Sequence, residues 1–312
     1  MTQALFGLLL RAAVVLAGTA LATFALLWNA PGDPALAIAI ARYHSVVSPE
    51  IIDKIRVEAG LNAGFWTAFQ SWIGPILQGD FGNSSVSGRP VLPELAAATF
   101  YTVPLALAGL AIGLALSIPL AIFAAKRPGS WIDRGAVAIA SLGAAIPAYW
   151  LGLLLILLFA VNLAWLPAMG ARTPAHAILP AMTLGLGVAA SLTRIIRSGI
   201  LEARGQPFLP AFRRRGIPDK AIGRDHIAPH AAIPVVTVFG LELAFLLEGA
   251  VMVEVIFARP GLGSFLVSAI EARDFPKVQA VVLLAALLFV IVNLLIDLFY
   301  RVIDPRIGER DA

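Results

Sequence analysis

Six apolar runs, separated by polar intervals, divide the chain. They cover about residues 5–28, 95–125, 132–164, 177–196, 232–257 and 278–300, and each reaches the roughly 20 residues that a helix needs to cross a bilayer. The pattern predicts an all-α integral membrane protein with six transmembrane helices in one domain, residues 1–312. Arg11 is the only charge in the first run. The small residues Ala20 and Ala22 leave a cleavable signal peptide as the rival reading, but the run is long for one and a retained span is favoured. Pro104 and Pro119 lie inside the second run, where neighbouring helices or side chains can satisfy the freed carbonyls, so kinks rather than ends are expected there, while Pro147 breaks the third run. Gly185 and Gly187 permit close helix approach in the fourth run.

Two polar intervals are long. The first, 31–93, is rich in Gly, Pro and Asn and reads as an outer loop of mixed charge. Within it Phe65, Trp66, Phe69, Trp72, Ile73, Ile76 and Leu77 recur at helical spacing. That face either packs on the rest of the protein or lies at the membrane interface, where tryptophan is favoured. The second interval, 199–230, contains the stretch PAFRRRGIPDKAIGRDHIAP. It predicts two short helices, one ending at Gly216 and one starting at Pro218 and Asp219. Such a helix-turn-helix between two spans is a handle for something soluble.

Composition agrees with the membrane class: 59% of residues are hydrophobic, 13% are charged and the mean hydropathy is +0.87. The formal charge of +4 would fit nucleic acid, but the cations sit beside the spans, where lipid and the positive-inside bias place them, so no nucleic-acid partner is expected. By this layout about 15 of the 23 Lys and Arg residues fall on the side of the termini. Both termini and the handle are therefore expected in the cytoplasm of a multi-pass protein. The chain has no cysteine, hence no disulfide and no thiolate metal site.

Candidate chemistry is sparse. No Gly-x-x-x-x-Gly-Lys-[Ser/Thr] phosphate cradle, His-Glu-x-x-His motif or Gly-x-Ser-x-Gly elbow occurs, so the chain is not expected to be an enzyme or to hold a cofactor. His44, His176, His226 and His230 are scattered without ligand-like clustering, and no metal site is expected. Acids inside spans are costly unless they face a cavity or a partner, which singles out Glu242, Glu248 and Glu254 as candidate pathway residues. A six-residue step turns a helix by about 600°, so Glu242 and Glu248 point roughly 120° apart. Either one of them lines a path for a cationic group, or they pair with basic residues of a neighbouring subunit.

The handle resembles the coupling loop of ABC-importer permeases, with Ala211, Gly216 and Pro229 in register; Pro210 and Phe212 depart from the general pattern. Phe212 to Ile217, followed by Asp225 and His226, is closer to the dipeptide, oligopeptide and nickel subfamily. The segments PGDPA (31–35), GDFGNS (79–84), WLPAMG (165–170), VEVIFARPGLG (253–263), RDFP (273–276) and DPRIG (304–308) are similar to segments of that subfamily in the same order. WLPAMG and the modest outer loop lean toward its nickel branch.

The resemblance implies a type I ABC-importer permease fold in a bacterial inner membrane, with a cytoplasmic coupling helix. It implies a second homologous permease subunit, two cytoplasmic ATPases that hold ATP and magnesium, and a periplasmic or extracellular binding protein delivering peptides or nickel and other metal complexes. Ala211, Phe212, Arg213, Arg214, Arg215, Gly216, Ile217, Pro218 and His226 are then the residues that couple to the ATPase. The competing classes are a secondary transporter driven by an ion gradient and a membrane-embedded enzyme.

Overall fold

The computed structural model describes residues 2–43, 47–58, 60 and 62–303. Within these the chain is helical throughout; the one β-type pairing is an isolated bridge between Asn83 and Pro90. The helices are α1 (Thr2–Trp28), α2 (Pro34–Tyr43), α3 (Pro49–Glu58), α4 (Phe65–Ile76), α5 (Val91–Lys126), α6 (Trp131–Ala145) and α7 (Ala148–Leu155). They continue with α8 (Ile178–Arg204), α9 (Leu209–Arg214), α10 (Asp219–Ile222), α11 (Ala228–Ile256), α12 (Leu262–Glu271) and α13 (Phe275–Ile303).

Four segments are long and apolar enough to cross a membrane: Gly7–Trp28, Val91–Lys126, Pro174–Arg204 and Phe275–Asp297. α6 with α7 and its π-helical extension Ile156–Asn162 makes a fifth if the pair is one span, and α11 is a continuous helix of 29 residues at the fifth apolar run.

The third run breaks at Pro147, as the sequence indicates. α6 and α7 meet at 102°. Ile146 is extended, as the residue before a proline prefers, and Pro147 has no N–H with which to carry the ladder across. Pro104 and Pro119, by contrast, sit inside an unbroken α5. The fourth helix also runs on to Arg204, past the Ile196 at which the apolar pattern stops, and α11 begins four residues before its apolar run.

The chain divides into two compact units: 1–102 with 260–291, and 103–259 with 292–312. In the first, the interval 31–93 is largely helical. Ala35, Ile38, Ala39 and Ile55 bury the contact of α2 with α3, and Val91, Leu95, Ala98, Leu262, Ala280 and Val281 form a second core. Thr102 Oγ accepts the N–H of Leu262 at 2.7 Å, which satisfies an orphan donor in the first turn of α12. The aromatic face of α4 packs on α1: Phe24 lies 5.4 Å from the rings of Phe65, Phe69 and Trp72. Trp66 points away and is 63% exposed, so the packed reading fits one side of this helix and the interfacial reading the other.

RDFP and GDFGNS, nearly 200 residues apart in sequence, meet in this unit. Asp274 is buried and accepts from Ser84 Oγ and, at 3.0 Å, from the Ser85 N–H; Lys277, paired to Glu94 at 2.6 Å, stands beside it.

The second unit is built on α8. Leu105, Leu110, Leu179, Leu184, Val188, Leu192, Val253 and Phe257 are the larger members of its core. α5 and α8 approach through glycine: a Cβ on Gly109 would meet the Leu184 Cβ at 2.8 Å, and one on Gly185 would meet the Ile112 Cβ at 2.7 Å. Gly187, expected to share this role, has open space where a Cβ would stand.

Candidate functional site

The handle is the residues between α8 and α11, 205–227. Its first helix starts with Pro210 in the opening turn, where a missing N–H costs nothing. It stops by a full Schellman closure: the Ile217 N–H donates to Phe212 O at 3.2 Å and the Gly216 N–H to Arg213 O at 3.0 Å. Gly216 takes φ +73°, the left-handed conformation this closure requires and a Cβ resists. Pro218 then sits extended as N-cap of α10, and the π-helical turn Gly223–Ile227 feeds α11 without a break.

The handle is two-sided. Leu209 and Ile222 are buried and anchor it, while Phe212, Ile217 and His226 are half-buried. The Phe212 ring stacks on His226 with centroids 4.2 Å apart, joining the two arms. Ala211, Arg213, Arg214, Arg215, Gly216 and Pro218 are exposed. Five cations, Arg213, Arg214, Arg215, Lys220 and Arg224, face two carboxylates, Asp219 and Asp225, over this stretch. Arg213 pairs with Asp219 at 3.2 Å, and Arg224 with Asp225 at 2.6 Å. The hydrogen bond from Arg224, together with its charge, holds the Asp225 carboxyl below its ordinary value. The outward surface is therefore basic and unobstructed, and all nine coupling residues expected from the sequence fall on it or directly beneath it.

Two contacts that the apolar pattern does not announce brace the handle's base. Arg197 of α8 forks onto Asp133 of α6, Nη2 to Oδ2 at 2.7 Å and Nε to Oδ1. The carboxylate also takes the Gly129 N–H at 2.8 Å, while Ser130 caps α6 through the Asp133 N–H. Two turns further on, Arg204 donates to the Ala125 carbonyl at the end of α5. The signal was present as Ser130 followed three residues later by an acid, a capping pattern whose carboxylate is then free to serve a second donor.

The intramembrane acids are placed separately. Glu242 is buried on α11 and hydrogen-bonded to Ser191 of α8. Glu254 is fully enclosed, one turn before Arg259, whose N–H donates to the Glu254 carbonyl at 2.8 Å. The side chain of Glu248 lies outside the described residues, as do His44 and the DPRIG segment. Glu242 and Glu254 stand twelve residues apart on α11, about 18 Å along its axis, and do not meet. No group of three metal-ligating residues occurs among the described residues.

Residues 117–309 match the family of binding-protein-dependent transport system inner membrane components. The glutathione transport system permease protein GsiC of Escherichia coli strain K12 is 38% identical over 277 residues, 89% of each chain, and GsiC of Salmonella typhi is equally similar.

Among solved structures, an inward-facing MetNI methionine ABC transporter aligns at TM-score 0.56 and 21% identity, over 68% of this chain and 97% of that one. An amino acid ABC transporter with histidines aligns at 0.55 and 19%, over 67% and 94%. The chain belongs to the binding-protein-dependent inner-membrane permease family, and its fold is that of ABC-importer permeases. Nothing favours the secondary-transporter class.

Proposed function

We propose that this chain forms half of the pathway of an ATP-driven peptide importer and that residues 205–227 are the surface on which an ATPase subunit acts. The observation that carries the reading is the handle turn: a glycine-locked Schellman closure fixes two short helices, each attached to a long core helix. A rigid angle transmits a push; a flexible loop would absorb it. The basic outer surface complements an acidic groove, and long-range attraction would speed docking. ATP and magnesium reside on two cytoplasmic ATPase subunits, a second homologous permease completes the pathway, and an external binding protein brings the cargo. The positive-inside balance puts both termini and the handle in the cytoplasm.

The cargo is a short peptide, a reading supported by relatives 38% identical that are named for glutathione transport. The relatives do not extend the lean of WLPAMG toward the nickel branch. Glu242 serves the pathway in this reading, because a buried acid beside Ser191 on the seam of two core helices is available to a peptide's amino terminus. Glu242→Gln, Glu248→Gln and the double variant are expected to slow uptake at fixed expression; normal uptake in all three removes the acids from the pathway.

The test of the whole reading is ATPase activity in lipid nanodiscs of this chain with its co-expressed partners. Gly216→Pro cannot adopt φ +73° and loses the N–H given to Arg213. It is expected to abolish stimulation by the binding protein while ATP still binds. Uptake driven by a proton or sodium gradient with no ATPase present refutes it.

A further inference from the structure

The unit formed by 1–102 and 260–291 holds a cavity of about 780 Å³, inside the range of small-molecule sites. Its wall combines three features. Phe24, Trp28 and Trp72 form an aromatic side, Phe24 stacked between the other two at 5.8 and 5.4 Å. Two ion pairs supply both signs of charge: Arg56 to Asp33 at 2.6 Å and Arg42 to Glu58 at 3.5 Å. Gln279 of α13 lines the cavity, is only 6% exposed and makes no side-chain hydrogen bond among the described residues, so its amide is open to whatever enters the cavity.

We infer that this cavity is a binding site in the permease itself for a short zwitterionic peptide, a substrate class that rests on the importer reading above. The chemistry matches at both ends. Arg42 already gives Nε to the Ser85 carbonyl, and its long, half-exposed pair with Glu58 is cheap to exchange for a ligand. A peptide carboxylate takes the Arg42 guanidinium once its pair with Glu58 opens, and the amino terminus takes the released Glu58 or Asp33. Gln279 offers a donor and an acceptor to a peptide group between them, and a side chain lies on Trp72.

The experiment uses the complete transporter in nanodiscs without binding protein. Trialanine is titrated against N-acetyl-trialanine amide, read by equilibrium dialysis of labelled peptide and by intrinsic tryptophan fluorescence. Saturable binding of trialanine is expected, with the capped peptide about tenfold or more weaker. Gln279→Leu and Glu58→Gln should each weaken trialanine severalfold, and Trp72→Phe should remove most of the fluorescence change.

No saturable binding up to about 1 mM, or equal binding of the capped peptide, overturns the site on wild-type protein alone. The same outcome follows if Gln279→Leu and Glu58→Gln both bind normally. Uptake with the binding protein, measured in parallel, separates the two readings. Peptide uptake without direct binding removes the cavity and leaves the importer; direct binding without peptide uptake keeps the cavity and removes the cargo reading.

Discussion

Replacing Gly216 with asparagine, alanine and valine tests the handle on a single physical variable. A Cβ built at this position meets nothing within 4 Å, so the first side-chain atom of any substitution has open space. The whole cost is the left-handed backbone at φ +73°, about 1–2 kcal/mol for an ordinary L-residue, least for asparagine and most for a β-branched side chain. That cost falls on an exposed six-residue helix with little stability of its own, so it opens the turn locally rather than unfolding the chain.

One to two kcal/mol is a factor of roughly 5–30 in the ratio of closed to open turn. Binding-protein-stimulated ATPase activity at limiting ATPase subunit should therefore fall in the order Gly, Asn, Ala, Val, by up to about that factor at alanine. Basal hydrolysis by the ATPases should stay constant. An alanine variant as active as wild type, or an asparagine variant no better than valine, would show that the Schellman geometry is not what couples the subunits.

Other substitutions probe the supports. Asp133→Ala strands the Arg197 guanidinium and the Gly129 N–H, so thermal stability should drop by about 1–3 kcal/mol, and Asp133→Ala with Arg197→Met should be milder than the single change. A melting series of the purified complex measures it; equal losses would refute the brace. Gly113→Val, whose Cβ would meet Val188 Cγ1 at 2.5 Å, should cost about 1–3 kcal/mol or prevent assembly, while Gly187→Ala, facing open space, should be silent. Expression and size-exclusion profiles decide between them. Asp274→Ala frees Ser84 and the Ser85 N–H, and limited proteolysis should then cut residues 82–90 faster than in wild type.

The apolar runs located the spans because lipid demands length and hydrophobicity, both readable one residue at a time. The handle was legible to the residue: a glycine after a basic turn and a proline two positions on have one economical geometry, and Gly216 and Pro218 adopt it. What the pattern withheld depends on partners distant in sequence. The size of the bend at Pro147, 102°, is one such feature, because packing around the freed carbonyls decides how far a proline bends a helix, and Pro104 sits in a continuous one. Asp133 and Arg197 are 64 residues apart, and Asp274 is 190 from Ser84; each side chain alone looks like ordinary loop or flank polarity. Gly185 and Gly187 are equivalent on paper and opposite in space, since a two-residue step turns a helix by about 200°.

The glycine seam between α5 and α8 also limits how this protein can move. Where Gly109 and Gly185 meet Leu184 and Ile112, no long side chain stands between the two backbones to swing aside and take up a displacement. The fit has one setting. A displacement delivered to α8 by the handle therefore reaches α5 without backlash, as between two teeth cut to mesh, and the compliance needed for a gate must lie away from this seam.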